Sequence, residues 1–457
     1  MTDIHLFIFT IVMIVSAVQP FQFKSSRCCE DYCYSLDQDR SQSKHYGTKT
    51  AYEVIRGPES SQEHVVPNCS PSKFWLLARH GTRLPGKKDI ESLPPVLNGL
   101  RESILANYDT RYKRFKREHL CPEDVGLLRN WQWDRNITVA YESVLTDQGW
   151  DDLKLLAMRE KDRFFEILSG PYDEQRYLFK HTNSQRTEAS FKAFVEGLFG
   201  NELYDSIPTK PDSSDDVLLK PYDFCPAYDA NEDKISEPDS ELSKFLRSPL
   251  YINTLADIST RLGFRQSLSS EQVEAMWNAC RFEQAWNLQL PSPWCSVFTK
   301  GQVQVMEYKE DLNYYYQNGY GSEVGSDLSC HAMADMLKHL GRVDGEQVIA
   351  YFTHDSAIQL FLVALGAMED REALRADNYY AMEDRNFRSS ELAPFAANIA
   401  VVRYECEDSE EPEKVMFFLN EKSLKFDWCT EGICDWSEVI RRYERFIDGD
   451  CAEMYCR

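Results

Sequence analysis

Five apolar residues, Phe74 to Ala78, run without a polar break through the stretch FWLLARHGTRLPG and stop at Arg79, His80 and Arg83. A short unbroken apolar run of this kind predicts a strand buried on both faces. Two other segments repeat the arrangement. RYLFKHTNSQRTEASFKAFVEGLFG predicts a strand near Tyr177 to Lys180, a polar turn and a helix beginning around Arg186. QVIAYFTHDSAIQLFLVALG predicts a strand Val348 to Phe352, then Thr353, His354 and Asp355 at the mouth of an apolar helix. Two later runs, Ala400 to Tyr404 and Val415 to Leu419, read as strands joined across the acidic run ECEDSEEPEK, a solvated hairpin loop.

Helical spacing accounts for much of the remainder. It predicts helices over Val96 to Glu118, over LTDQGWDDLKLLAMREKDRFFEIL with Thr146 as N-cap and Leu153, Leu156 and Phe164 or Phe165 inward, and over Glu241 to Leu262. Further helices are expected over Ser270 to Ala285, started by Ser269 or Ser270 with Glu274, over Gln302 to Tyr316, and over SDLSCHAMADMLKHLG, ended by Gly341. Pro208 to Glu237, rich in Pro, Asp and Ser, reads as a surface loop. The alternation predicts an α/β fold whose largely parallel central sheet is flanked by helices, with a mostly helical cap made of insertions. Core segments are expected at 67–100, 140–200 and 300–457, and cap insertions at 101–139 and 201–299.

The chain has 457 residues, ample for a large core. Its 51 Lys and Arg stand against 74 Asp and Glu, a net charge of −23. That field repels nucleic acid and anionic lipid, so an anionic ligand requires a local basic pocket. Leu6 to Val18 is apolar but short for a membrane span, and Ser16 and Ala17 follow the pattern of a cleavage point. Residues 1–17 are therefore read as a signal peptide, with an uncleaved anchor as the other reading, and no stable membrane insertion is expected. Fourteen cysteines fit an oxidising compartment, with Cys280–Cys295, Cys429–Cys434 and Cys451–Cys456 as plausible local bridges. Residues 18–66 read as an arm pinned to the body by disulfides. The sequons at Asn68 and Asn136 and the absence of a retrieval signal in DGDCAEMYCR favour secretion or an acidic lumen.

The carboxyl ends of strands in a parallel α/β sheet line the ligand crevice, so Arg79, His80, Arg83, Arg186, His354 and Asp355 are expected to converge. Three guanidinium groups could enclose one phosphoryl group, and the helix N-termini add donors. Histidine is a competent nucleophile when a backbone carbonyl holds one ring nitrogen and leaves the other free, and Asp355 can protonate a departing alkoxide. No metal or cofactor is needed, because the arginines carry the charge that Mg²⁺ carries elsewhere. Lys87, close after the motif, is the candidate for a further phosphate. Lys88, Arg101, Arg111, Lys113, Arg114, Lys116 and Arg117 are also basic, and a solvated helix face explains most of that run.

Other residues invite rival readings. His331, Asp335 and His339 lie at i, i+4 and i+8, a spacing open to zinc, although a polar outer helix face is favoured. Cys28, Cys29 and Cys33 lie close enough together for a metal. His181 suits a structural role and a substrate contact equally. Trp286 and Trp294 are expected to pack around the Cys280–Cys295 loop, and Tyr314 to Tyr316 to pack their helix.

RHGTRLP together with a distant His354-Asp355 resembles the histidine phosphatase superfamily, in its branch of histidine acid phosphatases and phytases. LTDQGWDDL, DFCPAYD, MEYKEDLNYYYQNGYG, PFAANIAVVRYEC and FLNEKSL extend the resemblance to the multiple inositol polyphosphate phosphatases, over roughly Phe74 to Leu424. The resemblance implies that His80 accepts the phosphoryl group, that Arg79, Arg83, Arg186 and His354 bind it, and that Asp355 donates the proton. One departure stands out: the inositol polyphosphate phosphatases usually have His-Ala-Glu where this chain has His354-Asp355-Ser356. The shorter carboxylate, one position earlier, bears on which phosphate leaves first and how large a substrate is accepted. The expected activity is a secreted phosphomonoesterase acting on small, polyphosphorylated inositols through a phosphohistidine, with oligomeric state left open. A general histidine acid phosphatase, a non-catalytic phosphate binder and a zinc hydrolase are the alternatives.

Overall fold

The computed structural model describes residues 32–56, 64–111, 120–211, 216–407 and 410–456. The expected signal segment, Cys28, Cys29, Lys113, Arg114, Lys116 and Arg117 lie outside the described residues.

Eight strands form one sheet: β1 (Cys69–Arg79), β2 (Tyr177–His181), β3 (Lys210–Pro211), β4 (Val348–Thr353), β5 (Asn398–Cys406), β6 (Glu413–Leu419), β7 (Lys422–Ser423) and β8 (Ile433–Asp435). Their order is β3-β2-β4-β1-β5-β6-β7, with β8 also paired to β6. The sheet is mixed. β3, β2, β4 and β1 are parallel neighbours, whereas β1 pairs antiparallel with β5, and β6 with β5, β7 and β8. The three strands expected to carry the motifs therefore share the parallel half.

The unbroken apolar runs follow from burial on both faces. Along β1, Trp75 and Leu77 enter one core, while Phe74, Leu76 and Ala78 enter the other. β4 divides likewise, Ile349 and Tyr351 against Val348, Ala350 and Phe352. One core is closed by the helices Asp147–Arg163 and Gln185–Phe199, through Leu153, Leu156, Phe191, Phe194 and Val195. The other is closed by the helices Ser270–Trp286, Lys300–Gln317, Cys330–Gly341 and Asp355–Leu365.

Several expected boundaries move. The helix expected from Val96 starts at Lys87 and runs to Arg111, through Pro94 and Pro95, against the usual exclusion of proline from a helix interior. Glu241 to Leu262 is two helices, Glu241–Leu246 and Pro249–Arg261, because Ser248 caps the second and Pro249 occupies its first position. The helix expected through SDLSCHAMADMLKHLG divides at Ser329 into Gly325–Leu328 and Cys330–Gly341. The expected loop Pro208–Glu237 contains a helix, Pro226–Ile235, with Pro226 at its first turn. Thr146 does cap its helix, its hydroxyl accepting the Gly149 N–H at 3.1 Å.

Twelve cysteines pair among the described residues: Cys33–Cys121, Cys69–Cys406, Cys225–Cys456, Cys280–Cys295, Cys330–Cys451 and Cys429–Cys434. The expected Cys451–Cys456 bridge is wrong. Those two cysteines tie the C-terminal turn to two separate elements, a choice that local spacing cannot reveal. Among the described residues no helix is long and apolar enough to cross a membrane.

Candidate active site

Register brings the motifs level. Arg79 pairs with Thr353 across β1 and β4, and His181 pairs with Phe352 across β2 and β4. His80 and His354, each one residue past its strand, thus emerge side by side, their ring centroids 5.5 Å apart. The backbone secures the exit, with the His80 N–H donating to Thr353 O at 3.0 Å and the Ala396 N–H donating to His80 O at 3.0 Å.

The His80 ring is buried, and its Nδ1–H donates to the Gly81 carbonyl at 2.8 Å. Nε2 is left with its lone pair. Burial, then Arg79, Arg186, His354 and Arg83, holds the imidazole well below its ordinary value of 6.5, so it stays neutral in mild acid.

Arg79 is 2% exposed. Its Nη1 donates to the carbonyls of Thr48 and Ala393, its guanidinium lies 4.7 Å from the Phe395 ring centroid, and its Nη2 is 3.4 Å from Asp355 Oδ2. Arg83 Nη1 donates to Leu84 O at 2.8 Å, and its guanidinium is 5.7 Å from the Phe282 centroid. Burial, then Arg79 and Arg186, brings Arg83 down to about 10, the mark of cations crowded together. Arg186, in the first turn of the helix Gln185–Phe199, donates from Nη2 to His354 Nδ1 at 3.3 Å; His354 Nε2 is 3.1 Å from Thr182 Oγ1. Burial and Arg186 push His354 below its ordinary value. The Nε atoms of Arg79 and Arg186 are buried without a hydrogen-bond partner.

Asp355 opens its helix, with His354 as N-cap. Burial alone would raise its carboxyl, but Arg79, His354, Arg83 and Lys49 outweigh burial and hold it below the ordinary 3.8. Asn318 supports this helix start, donating to Ser356 Oγ and Gln359 Oε1 while its own oxygen accepts from Tyr228.

Five expected residues, Arg79, His80, Arg186, His354 and Asp355, are linked by these contacts, and Arg83 adds its charge at the same place. Lys87 differs. It begins its helix exposed, its backbone N–H bonded to Glu142, and its side chain touches none of the six; with Lys88, Glu91 and Ser92 it lines a surface depression. His181 is occupied by the Thr182 carbonyl at 2.9 Å and stacks on Phe191. The His331 helix does not present the expected polar outer face. Asp335 accepts from Trp75 Nε1, His339 Nε2 donates to Phe74 O, and His331 packs on Tyr455, so the two imidazoles and the carboxylate do not converge. Trp294 does pack beside the Cys280–Cys295 bridge, but Trp286 donates to the Arg83 carbonyl at 3.0 Å.

Sequence reasoning missed the arm. Thr48, whose carbonyl holds Arg79, and Lys49 come from an aperiodic polar stretch with no local signal. Phe282 and Phe395, the aromatic supports of Arg83 and Arg79, carry no sequence signal for that role.

Residues 73–420 match the model of the histidine phosphatase superfamily (branch 2). The chain belongs to that family. Among its relatives, multiple inositol polyphosphate phosphatase 1 of Drosophila melanogaster is 41% identical, covering 94% of this chain and 91% of that protein. The Homo sapiens protein of the same name is 28% identical over 89% of this chain and 87% of its own. In fold, the chain is similar to the phytase from D. castellii (TM-score 0.70, 17% identity, 91% of this chain and 87% of that one). It is also similar to the multiple inositol polyphosphate phosphatase of Bifidobacterium longum in complex with inositol hexasulfate (TM-score 0.60, 12% identity, 87% and 96%).

Proposed function

We infer that this chain is an inositol polyphosphate phosphatase that works through a phosphohistidine. The observation that carries the reading is His80: a buried, neutral imidazole whose Nδ1 is committed to Gly81 and whose ring feels the charge of Arg79, Arg186 and Arg83. Its relationship to the Drosophila and human enzymes supports inositol polyphosphates as the substrate class.

In the first half-reaction, His80 Nε2 attacks phosphorus in line with the ester oxygen. Arg79, Arg83, Arg186 and His354 bind the equatorial oxygens, and Asp355 delivers the proton to the leaving alkoxide. Asp355 is ionised in the free site, so a proton must enter with the substrate. A phosphate monoanion supplies it, since the second ionisation of a phosphomonoester lies at about 6. Bound phosphate also offsets the arginine charge that depressed Asp355, which lets the proton pass to the carboxylate. Water then attacks the phosphohistidine, with Asp355 as base. The arginines carry the charge, so no metal enters the scheme. Lys87, exposed at the start of its helix, is assigned to a more distant phosphate of the same substrate. Six disulfides among the described residues support a secretory lumen or the extracellular space as the place of action.

Phosphate release from inositol hexakisphosphate and from an aryl phosphate, in EDTA at acidic and neutral pH, tests the reading. Wild-type protein is expected to release phosphate from both, faster in acid, and His80→Ala from neither. Hydrolysis of the aryl phosphate alone would move the assignment to a general acid phosphatase. Activity that EDTA abolishes and a divalent ion restores would contradict the scheme.

A further inference from the structure

Four cations, Arg79, Arg83, Arg186 and Lys49, bear on one carboxylate, Asp355, although a single phosphoryl group is met by the three arginines. Lys49 comes from the arm and is held in place with unusual care. It ends the short turn Gly47–Lys49, in which the Thr48 N–H and hydroxyl both donate to Glu310 Oε1, at 2.8 and 2.9 Å, and the Thr48 carbonyl accepts from Arg79. Gly47 permits the close approach: its φ is +56°, and a Cβ there would lie 2.4 Å from Glu310 Oε1.

Lys49 Nζ and the Arg83 guanidinium lie against the same ring, 5.4 and 5.7 Å from the Phe282 centroid. Glu310, the carboxylate with the largest pull on Lys49, forms its ion pair with Arg281 instead. No described carboxylate lies within ion-pair distance of Lys49. A positive charge set beside Arg83 with no ion-pair partner among the described residues is arranged for an anion that arrives with the substrate.

We propose that Lys49 binds a phosphate neighbouring the one being cleaved, and so selects polyphosphorylated substrates over simple monoesters. The proposal rests on the phosphatase reading above and names the residue that sets its substrate preference. The groups facing Lys49 come from every side: Arg281 and Glu310 from two packed helices, Arg83 from the motif turn, Asp89 from the following helix and Asp355 from the strand end. Burial first, then Arg281 and Arg83, lowers the Lys49 ammonium to about 7, against the opposing pull of Glu310 and Asp89. It is charged in acid and loses its proton near neutrality.

The test compares wild-type, Lys49→Met and Lys49→Arg protein on inositol hexakisphosphate and p-nitrophenyl phosphate. Met keeps the aliphatic stem over Phe282 and removes the charge. The expected result is that Lys49→Met lowers kcat/KM for the hexakisphosphate relative to the aryl phosphate by about tenfold or more, through KM, the loss of one charge-assisted contact. Lys49→Arg restores the preference. In wild type, KM for the hexakisphosphate should climb as pH passes about 7; Lys49→Met should lose that rise and Lys49→Arg should move it to higher pH. An equal loss on both substrates, or no loss on either, overturns the proposal while leaving the phosphatase reading intact. Wild-type protein inactive on the hexakisphosphate would instead sink the parent reading.

Discussion

In the proposed mechanism His80 and Asp355 have opposite requirements, and the same arginines serve the first and oppose the second. A nucleophilic imidazole must be neutral, and burial with Arg79, Arg186, His354 and Arg83 keeps His80 well below its ordinary 6.5. A proton donor must be protonated at the moment of bond breaking, yet Arg79, His354, Arg83 and Lys49 hold Asp355 ionised in the free site. The consequence is a substrate-borne proton. Asp355→Asn is expected to cut kcat for inositol hexakisphosphate by about 10²- to 10⁴-fold, the usual contribution of a general acid. It should affect p-nitrophenyl phosphate far less, because nitrophenolate leaves without help. Comparing kcat for both substrates checks the assignment; equal losses would remove the donor role from Asp355. The sign of the wild-type pH dependence follows from the same proton. Activity on the hexakisphosphate falls as pH rises through about 6, where the substrate phosphate gives up its second proton.

The motif turn is held by contacts between elements. A Cβ on Gly81 would lie 2.2 Å from the Gly149 carbonyl oxygen, and one on Gly149 would lie 2.1 Å from the Thr82 carbonyl oxygen. The turn after β1 and the start of the helix Asp147–Arg163 therefore pack backbone to backbone. Buried Asp152 completes the joint, accepting the Thr82 N–H at 3.0 Å and hydroxyl at 2.7 Å. The glycine of RHGT and the glycine of TDQGW are two halves of one contact, about seventy residues apart in sequence. Gly149→Ala is expected to destabilise the protein by about 1–3 kcal/mol, the cost of overpacking. It should also lower kcat/KM by displacing His80. A urea titration with the midpoint lowered and the slope unchanged, alongside steady-state kinetics, checks both. The strand, turn and helix pattern of the three motifs was legible because doubly buried strands read as unbroken apolar runs. The glycine joint was not, because it depends on a partner far along the chain.

The whole chain is closed by long-range bridges that local spacing could not reveal. Cys225–Cys456 spans 231 residues and Cys330–Cys451 spans 121, and together they fasten the C-terminal turn to the helices at Pro226 and Cys330. Cys429–Cys434 spans only 5. Because the stabilisation grows with the loop closed, Cys225→Ser with Cys456→Ser is expected to cost about 2–5 kcal/mol, and the matching pair at 429 and 434 distinctly less. Thermal melts of the two double variants make the comparison. The candidate site was largely legible, since Arg79, His80, Arg83, Arg186, His354 and Asp355 all lie at or after strand ends whose register the sheet holds level. The arm was not, because Thr48 and Lys49 carry no periodicity and gain their place only through Glu310, Arg79 and Phe282. Mixed sheet direction also escaped the pattern, since a strand buried on both faces reads alike in either direction.

The central claim is that His80 carries the phosphoryl group on Nε2, because Gly81 occupies Nδ1. Rapid mixing with ³²P-labelled substrate, quenched in alkali to preserve phosphohistidine and followed by peptide mapping, measures it directly. The account predicts label on His80, linked through Nε2, that forms and decays at rates consistent with turnover. Label on another residue, label on Nδ1, or full turnover with no labelled protein at any time would contradict it.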